Sequence, residues 1–159
     1  MGFQTAINQQ QAPAVAGDFC SANPRASVIA GEGAFVAGAA GATVGRFAWA
    51  DAAGLVTNVG AGVPTGFIHR DLQALITAWL GSESMLIPEG VPVTLHRSGD
   101  FWVKTLTVAT VGQKVFASNL DGSIKTGAAE AVIADHTETA WFVESAGAIN
   151  ELIKISQRG

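Results

Sequence analysis

Short runs of alternating apolar and polar residues, separated by glycines and turn residues, dominate this chain. The run Thr43–Ala50 has a period of two, which places Phe47 and Trp49 on one face of a strand. Many short strands with turn residues between them indicate a small barrel or a sandwich. The other predicted strands are Ser27–Ala30, Ala34–Ala37, Leu55–Asn58, Ser84–Ile87, Val91–Leu95, Phe101–Lys104, Lys114–Ser118, Ser123–Thr126, Ala131–Ala134, Ala140–Glu144 and Glu151–Ser156.

Two sequence signals predict hairpin turns in the second half of the chain. Asp121-Gly122 separates two of the predicted strands and favours a tight turn. Ser98-Gly99-Asp100 gives a similar signal just before Phe101–Lys104. The last predicted strand carries Lys154 between apolar neighbours, as expected for a strand with one face in water.

One segment, residues 69–81, has the period of an amphipathic helix. Its apolar residues fall three and four positions apart, and Gly81 is placed to end the helix. The stripe consists of Leu72, Leu75, Ile76, Trp79 and Leu80.

The first twenty residues are predicted to form an extended N-terminal arm. Residues 8–13 are polar, follow neither period and end in a proline. Such a segment becomes ordered against a neighbouring chain or remains a frayed terminus. The domain prediction is an arm at 1–20 and a β-rich domain at 21–159.

The composition favours a subunit of an assembly. Charged residues are 14% of the chain and apolar residues 48%, with a mean hydropathy of +0.32. A typical soluble domain is about a quarter charged, so we expect other protein chains to cover part of this surface. The candidate interface residues are Phe3, Ile7, Gln9, Gln10, Val15, Phe19, Trp49, Phe67 and Trp79.

Charge and hydropathy also argue against two kinds of partner. The net charge is −4 without a basic run, so no nucleic-acid partner is expected. The uncharged stretch 33–45 consists largely of glycine and alanine and is too short to span a bilayer, and no membrane partner is expected. The first residues do not resemble a signal peptide, and synthesis in a cytoplasm is expected.

No sequence pattern predicts catalysis, a cofactor or a metal. The three histidines, His69, His96 and His136, are far apart in sequence and are interpreted as surface or strand residues. The glycine-rich stretches lack the Gly-Lys-Ser/Thr of a phosphate-binding loop. Cys20 is the only cysteine and is interpreted as a small buried apolar residue. We therefore expect a protein that is not an enzyme.

The chain resembles the structural cement, or decoration, proteins of tailed-phage heads. Three stretches carry the likeness, Gly66–Thr77, Ile87–Leu95 and Gly99–Lys104, and two more extend it at Ala12–Phe19 and Thr110–Val115. The resemblance covers about residues 12–126. The resemblance implies a homotrimer that binds the major capsid protein on the outer surface of the virion and holds the shell together.

The prediction is a mainly β protein, a small barrel or sandwich of short antiparallel strands with one short helix and the N-terminal arm. Its predicted function is capsid decoration. The alternative is a head-surface domain that binds a host glycan or receptor, which should show exposed aromatic side chains on loops.

Overall fold

β-Strands make up the regular structure of the protein. The computed structural model describes residues 14–71 and 85–158, and no helix occurs within them. The mainly β prediction is confirmed, whereas residues 72–81 of the predicted helix lie outside the described residues. The strands are β1 (Ala26–Ser27), β2 (Val36–Ala37), β3 (Ala42–Thr43), β4 (Phe47–Ala50), β5 (Leu55–Thr57), β6 (Gly66–Ile68), β7 (Leu86–Ile87), β8 (Leu95–Lys104), β9 (Lys114–Ser118), β10 (Ile124–Gly127), β11 (His136–Val143) and β12 (Leu152–Gln157).

Ten of these strands form one sheet in which nearly all pairs are antiparallel. The order is β10-β9-β11-β12-β8-β6-β4-β5-β2, with β1 beside β8, and the pair β2–β5 is parallel. Strands β3 and β7 form a separate antiparallel pair. Single bridges join Val36 to Pro92 and Thr105 to Ile124, so both edges of the sheet curl toward segments that flank β8. Within the described residues, the strands do not close into a barrel.

Two hydrophobic clusters lie on opposite faces of β4 and β6. In each of these strands one aromatic ring enters the first cluster and the next residue enters the second: Phe47 then Ala48, and Phe67 then Ile68. The alternation of side chains along a strand produces this division. The first cluster also contains Phe101, Val103, Ala109, Val115, Ala117, Ile124, Trp141, Val143, Ile153 and Ile155, and the second Ala37, Ala42, Val44, Val56, Ile87, Val93 and Leu95.

Strand β8 runs without a break where a hairpin was predicted. Ser98 pairs with β1 and Gly99 with β12, so the hairpin at Ser98-Gly99-Asp100 is wrong. Gly99 has a φ of +135°, and a Cβ there would lie 3.0 Å from the Cβ of Arg25. The glycine therefore provides an irregular strand conformation and a close approach of the segment before β1, rather than a turn.

The hairpin at Asp121-Gly122 is confirmed. It joins β9 and β10, and Gly122 has a φ of +68°. A Cβ on Gly122 would collide with the carbonyl oxygen of Phe47, so the turn packs directly on the start of β4.

The predicted strand Ala131–Ala134 is wrong, because these residues form a loop and turn that lead into β11.

Candidate interaction surface

Two loops, residues 105–113 after β8 and residues 145–150 between β11 and β12, lie side by side at one end of the sheet. The backbone N–H of Asn150 donates to the carbonyl of Thr105 at 2.8 Å. Ala109 and Gly147 exchange two backbone hydrogen bonds of 2.9 and 3.1 Å. The side chain of Ala109 is buried in the first cluster, which fixes the segment 105–113 to the sheet.

These paired loops expose apolar side chains and carry no charge. Residues 105–113 and 145–150 contain no Asp, Glu, Lys or Arg. The exposed fractions are Leu106 40%, Val108 59%, Val111 63% and Ile149 57%. We name these four residues the apolar end. A carboxylate, that of Glu151, borders them and accepts from the N–H of Ala148 at 2.8 Å. Exposed apolar side chains grouped in this way are typical of a contact with another protein.

A second apolar group lies at the opposite end of β9. Val59, Val63 and Leu120 are each more than half exposed. The loop that carries the two valines is tied to the β9–β10 turn, because the N–H of Gly60 donates to the carbonyl of Asn119 at 3.0 Å. Val111 lies just before β9 and Leu120 just after it, so the strand separates the two groups by about 17 Å.

The last part of the predicted arm runs alongside β8. The N–H of Gly17 donates to the carbonyl of Trp102 at 2.7 Å, and the N–H of Trp102 donates to the carbonyl of Asp18 at 2.9 Å. The N–H of Cys20 donates to the carbonyl of Asp100 at 3.1 Å. Residues 17–20 therefore add an extended segment to the body of their own chain.

Asp100 anchors the same segment through its side chain. Its Oδ2 accepts hydrogen bonds from Ser21 Oγ at 2.5 Å and from Asn23 Nδ2 at 2.6 Å. Partial burial acts to raise the pKa of this carboxyl, but hydrogen bonds from Ser156, Ser21 and Asn23 outweigh it and lower the pKa below its usual value. The charged form of Asp100 is therefore the one that holds the segment.

Two histidines that are far apart in sequence meet beneath this segment. His96 Nε2 lies 2.9 Å from His69 Nδ1, and His69 Nε2 lies 3.6 Å from Asp71 Oδ2. The ring of Phe19 stacks on His69 at 5.0 Å and meets His96 edge-on at 5.7 Å. Arg25 lies over the other side of Phe19, 3.9 Å from the ring centroid.

The surroundings of the histidine pair favour its neutral form. Burial lowers the pKa of His96 to about 4, and His69 and Arg25 act in the same direction. Burial also lowers the pKa of His69, against the opposing effect of Asp71. His96 Nδ1 is buried without a hydrogen-bond partner among the described residues. At neutral pH the two rings therefore share one hydrogen bond and carry no charge.

The structure places the candidate interface residues in different surroundings. Val15 is 42% exposed, Phe19 packs on both histidines and on Phe101, and Trp49 is partly buried against the first cluster. Phe67 is completely buried in the core of its own chain, so its ring offers no surface to a second chain. The others, Phe3, Ile7, Gln9, Gln10 and Trp79, lie outside the described residues.

Sequence analysis missed the apolar end. The signal was present as two uncharged stretches, 105–113 and 145–150, both close to predicted strands. Leu120 was also visible as a large apolar residue inside a predicted tight turn, where water-exposed polar residues dominate. These positions rank above Phe67 as candidates for a contact.

The described residues show neither a metal site nor a membrane span. Residues 14–71 and 85–158 contain no group of three or more His, Cys, Asp or Glu that could hold a metal ion. Within the same ranges, no helix has the length and apolarity needed to cross a bilayer.

Partial burial raises the pKa of the Cys20 thiol, with Asp100 acting in the same direction, which disfavours the reactive thiolate.

Comparison with known proteins identifies a matching family and a similar solved structure. The model of the family described as XM1 gp53 minor capsid protein matches residues 3–157. A chain of the solved structure "The capsid of Myoviridae Phage XM1" is similar with a TM-score of 0.59 at 22% identity, over 98% of this chain and 97% of that chain. No curated protein sequence matches. At this identity the structural likeness shows a shared fold.

Proposed function

Since the chain belongs to the XM1 gp53 minor capsid protein family, we propose that it binds the outer surface of a phage capsid and stabilises contacts between major capsid subunits. A structural role in the phage virion follows from the family itself. The finer assignment, a decoration protein on the outside of the shell, is the proposal. It involves no catalysis and no cofactor, because a mechanical contact between chains requires neither.

The apolar end is the observation that supports this proposal. Four large apolar side chains are 40–63% exposed on loops without a charged residue. A contact that removed these side chains from water would gain free energy from each of them. The loops are fixed to the first cluster by the buried Ala109, so little conformational entropy is lost when they dock.

The N-terminal arm supplies a second, tethered contact in this proposal. Residues 17–20 are bonded to β8, so the residues before them start from a fixed point on the body. A tethered segment that engages a second surface gains from its high effective concentration. Phe3 and Ile7 would supply its apolar contacts.

We propose that the protein acts as a homotrimer. Charged residues are 14% of the chain, and the second apolar group, Val59, Val63 and Leu120, leaves further surface to cover in addition to the apolar end. Association of copies would cover part of this surface, and three linked copies would multiply weak contacts with the shell. Light scattering at micromolar concentration should give three times the chain's 16.3 kDa, and a monomer mass would contradict the trimer.

Reconstitution on phage heads tests the function. Purified protein is added to expanded heads that lack it, and the heads are imaged by cryo-electron microscopy. Added density on the outer surface, over the junctions between major capsid subunits, is expected, together with a higher melting temperature of the heads. Density on the inner surface, or none, would contradict decoration. Binding to host cells without binding to heads would favour the receptor alternative.

A further inference from the structure

The His69–His96 pair has no place for an additional proton. Asp71 faces His69 Nε2, which favours a proton on that nitrogen and leaves His69 Nδ1 as an acceptor. His96 Nε2 then donates across the 2.9 Å contact, and His96 Nδ1 carries no proton. This assignment gives two ring nitrogens a hydrogen bond and places a third, His69 Nε2, opposite the Asp71 carboxylate at 3.6 Å.

Protonation of either ring disrupts this arrangement. A proton added to His96 goes to Nδ1, which is buried without a partner among the described residues. A proton added to His69 goes to Nδ1, which already accepts from His96, so His96 must change tautomer and again place its proton on Nδ1. A buried N–H without an acceptor is costly, and more so when it is charged.

The charged groups around the pair increase this cost at His96 and partly relieve it at His69. Arg25, packed on the far side of Phe19, disfavours a second positive charge at either ring. Asp71 favours a charge on His69 but is not among the groups that act on His96. The Asp18–Arg70 ion pair, at 3.4 Å, flanks the site and joins the same two segments.

We propose that the His69–His96 pair is an acid-sensitive latch, which holds residues 17–20 against β8 when neutral and releases them when protonated. Phe19 connects the latch to the segment, because its ring packs on both histidines and on Phe101. Loss of the histidine contact removes two of the ring contacts of Phe19. The proposal concerns the base of the arm and stands whether or not the arm binds a capsid.

The labelling rate of Cys20 measures release, because this thiol lies in the latched segment. A pyridyl disulfide reagent that reacts at acid pH is used, and each rate is divided by that of the urea-unfolded chain at the same pH. If opening restores the ordinary pKa of 6.5 to His96, the normalised rate should rise by up to about 30-fold between pH 7.5 and pH 5.

The variant His96→Gln separates the latch from general acid effects. Its amide can donate to His69 Nδ1 but does not titrate, so the rise in the rate should largely disappear. His136→Gln is the matched control, because it removes the histidine outside the pair, and it should keep the rise. If His96→Gln does not fold at pH 7.5, His96→Asn replaces it. A flat rate in the unaltered protein, or the same rise in the folded His96 variant, overturns the proposal.

Discussion

The double substitution Val111→Ser with Ile149→Ser tests whether the apolar end is a contact surface. The two side chains are 63% and 57% exposed in the free chain. Complete burial of such a side chain is worth about 1.5–3 kcal/mol, so covering the exposed part is worth about 1–2 kcal/mol for each residue. The pair should therefore contribute about 2–3.5 kcal/mol, a change of about 30- to 300-fold in the affinity of one contact.

The assay is co-sedimentation of the protein with phage heads that lack it, over a range of protein concentrations. The double variant should need a much higher concentration to reach half saturation. Its melting temperature should change little, because substitutions at exposed positions usually alter stability by less than about 0.5 kcal/mol. Light scattering of the same variant shows whether the contact joins copies of this chain or joins the chain to the shell.

The matched control is Ile29→Ser. Ile29 is 91% exposed and follows Val28, whose N–H donates to the carbonyl of Leu95 at the start of β8, whereas the apolar end begins just after the last residue of β8. The ten residues of β8 separate the two sites by about 33 Å. Affinity of the double variant within twofold of the unaltered protein, or an equal loss in the control, would refute the reasoning.

Three further predictions concern stability and attachment. Gly122→Ala should lower the free energy of unfolding, measured by urea titration, by about 2–4 kcal/mol, because the change combines a positive φ with a collision at the Phe47 carbonyl. The control Gly112→Ala, at a position with a φ of +87° and open space, should lower it by only about 1–2 kcal/mol. Equal losses in the two variants would exclude the collision. Acidification should destabilise the fold before carboxylates titrate. Because the pKa of His96 is lowered to about 4 in the folded chain, its contribution to stability is complete above pH 6.5 and is lost as the pH falls toward 4, with about 2 kcal/mol lost by pH 5. An unchanged urea midpoint between pH 7.5 and pH 5 would contradict this prediction. Deletion of residues 1–13 should weaken binding to heads more than it lowers the melting temperature, and undiminished binding would show that the arm makes no contact.

Local sequence patterns were sufficient where neighbouring residues alone determine the structure. The Asp121-Gly122 turn needs only a glycine with positive φ between two apolar runs, and β12 alternates clearly, with Ile153 and Ile155 buried. Gly99 shows the limit of this approach. A glycine flanked by Ser and Asp has the composition of a turn, but pairing with β1 and β12 on both sides keeps the strand continuous.

The candidate sites depend on contacts between distant parts of the chain, which the sequence does not display. His69 and His96 are 27 positions apart, and their contact follows from the pairing of β6 with β8. Phe67 was predicted at an interface, but the alternation in β6 directs its ring into the first cluster. Only the fold determines which apolar residues remain exposed.

Strand β8 borders both hydrophobic clusters and pairs with β1, β6 and β12. The hydrogen bonds of antiparallel pairs lie perpendicular to the strands, so tension along β8 loads many of them in shear at the same time. A force applied near Lys104 is thus shared by several strands paired with β8 before any one pair must separate. In a shell under internal pressure, such load sharing would let a small subunit resist stretching without a covalent cross-link.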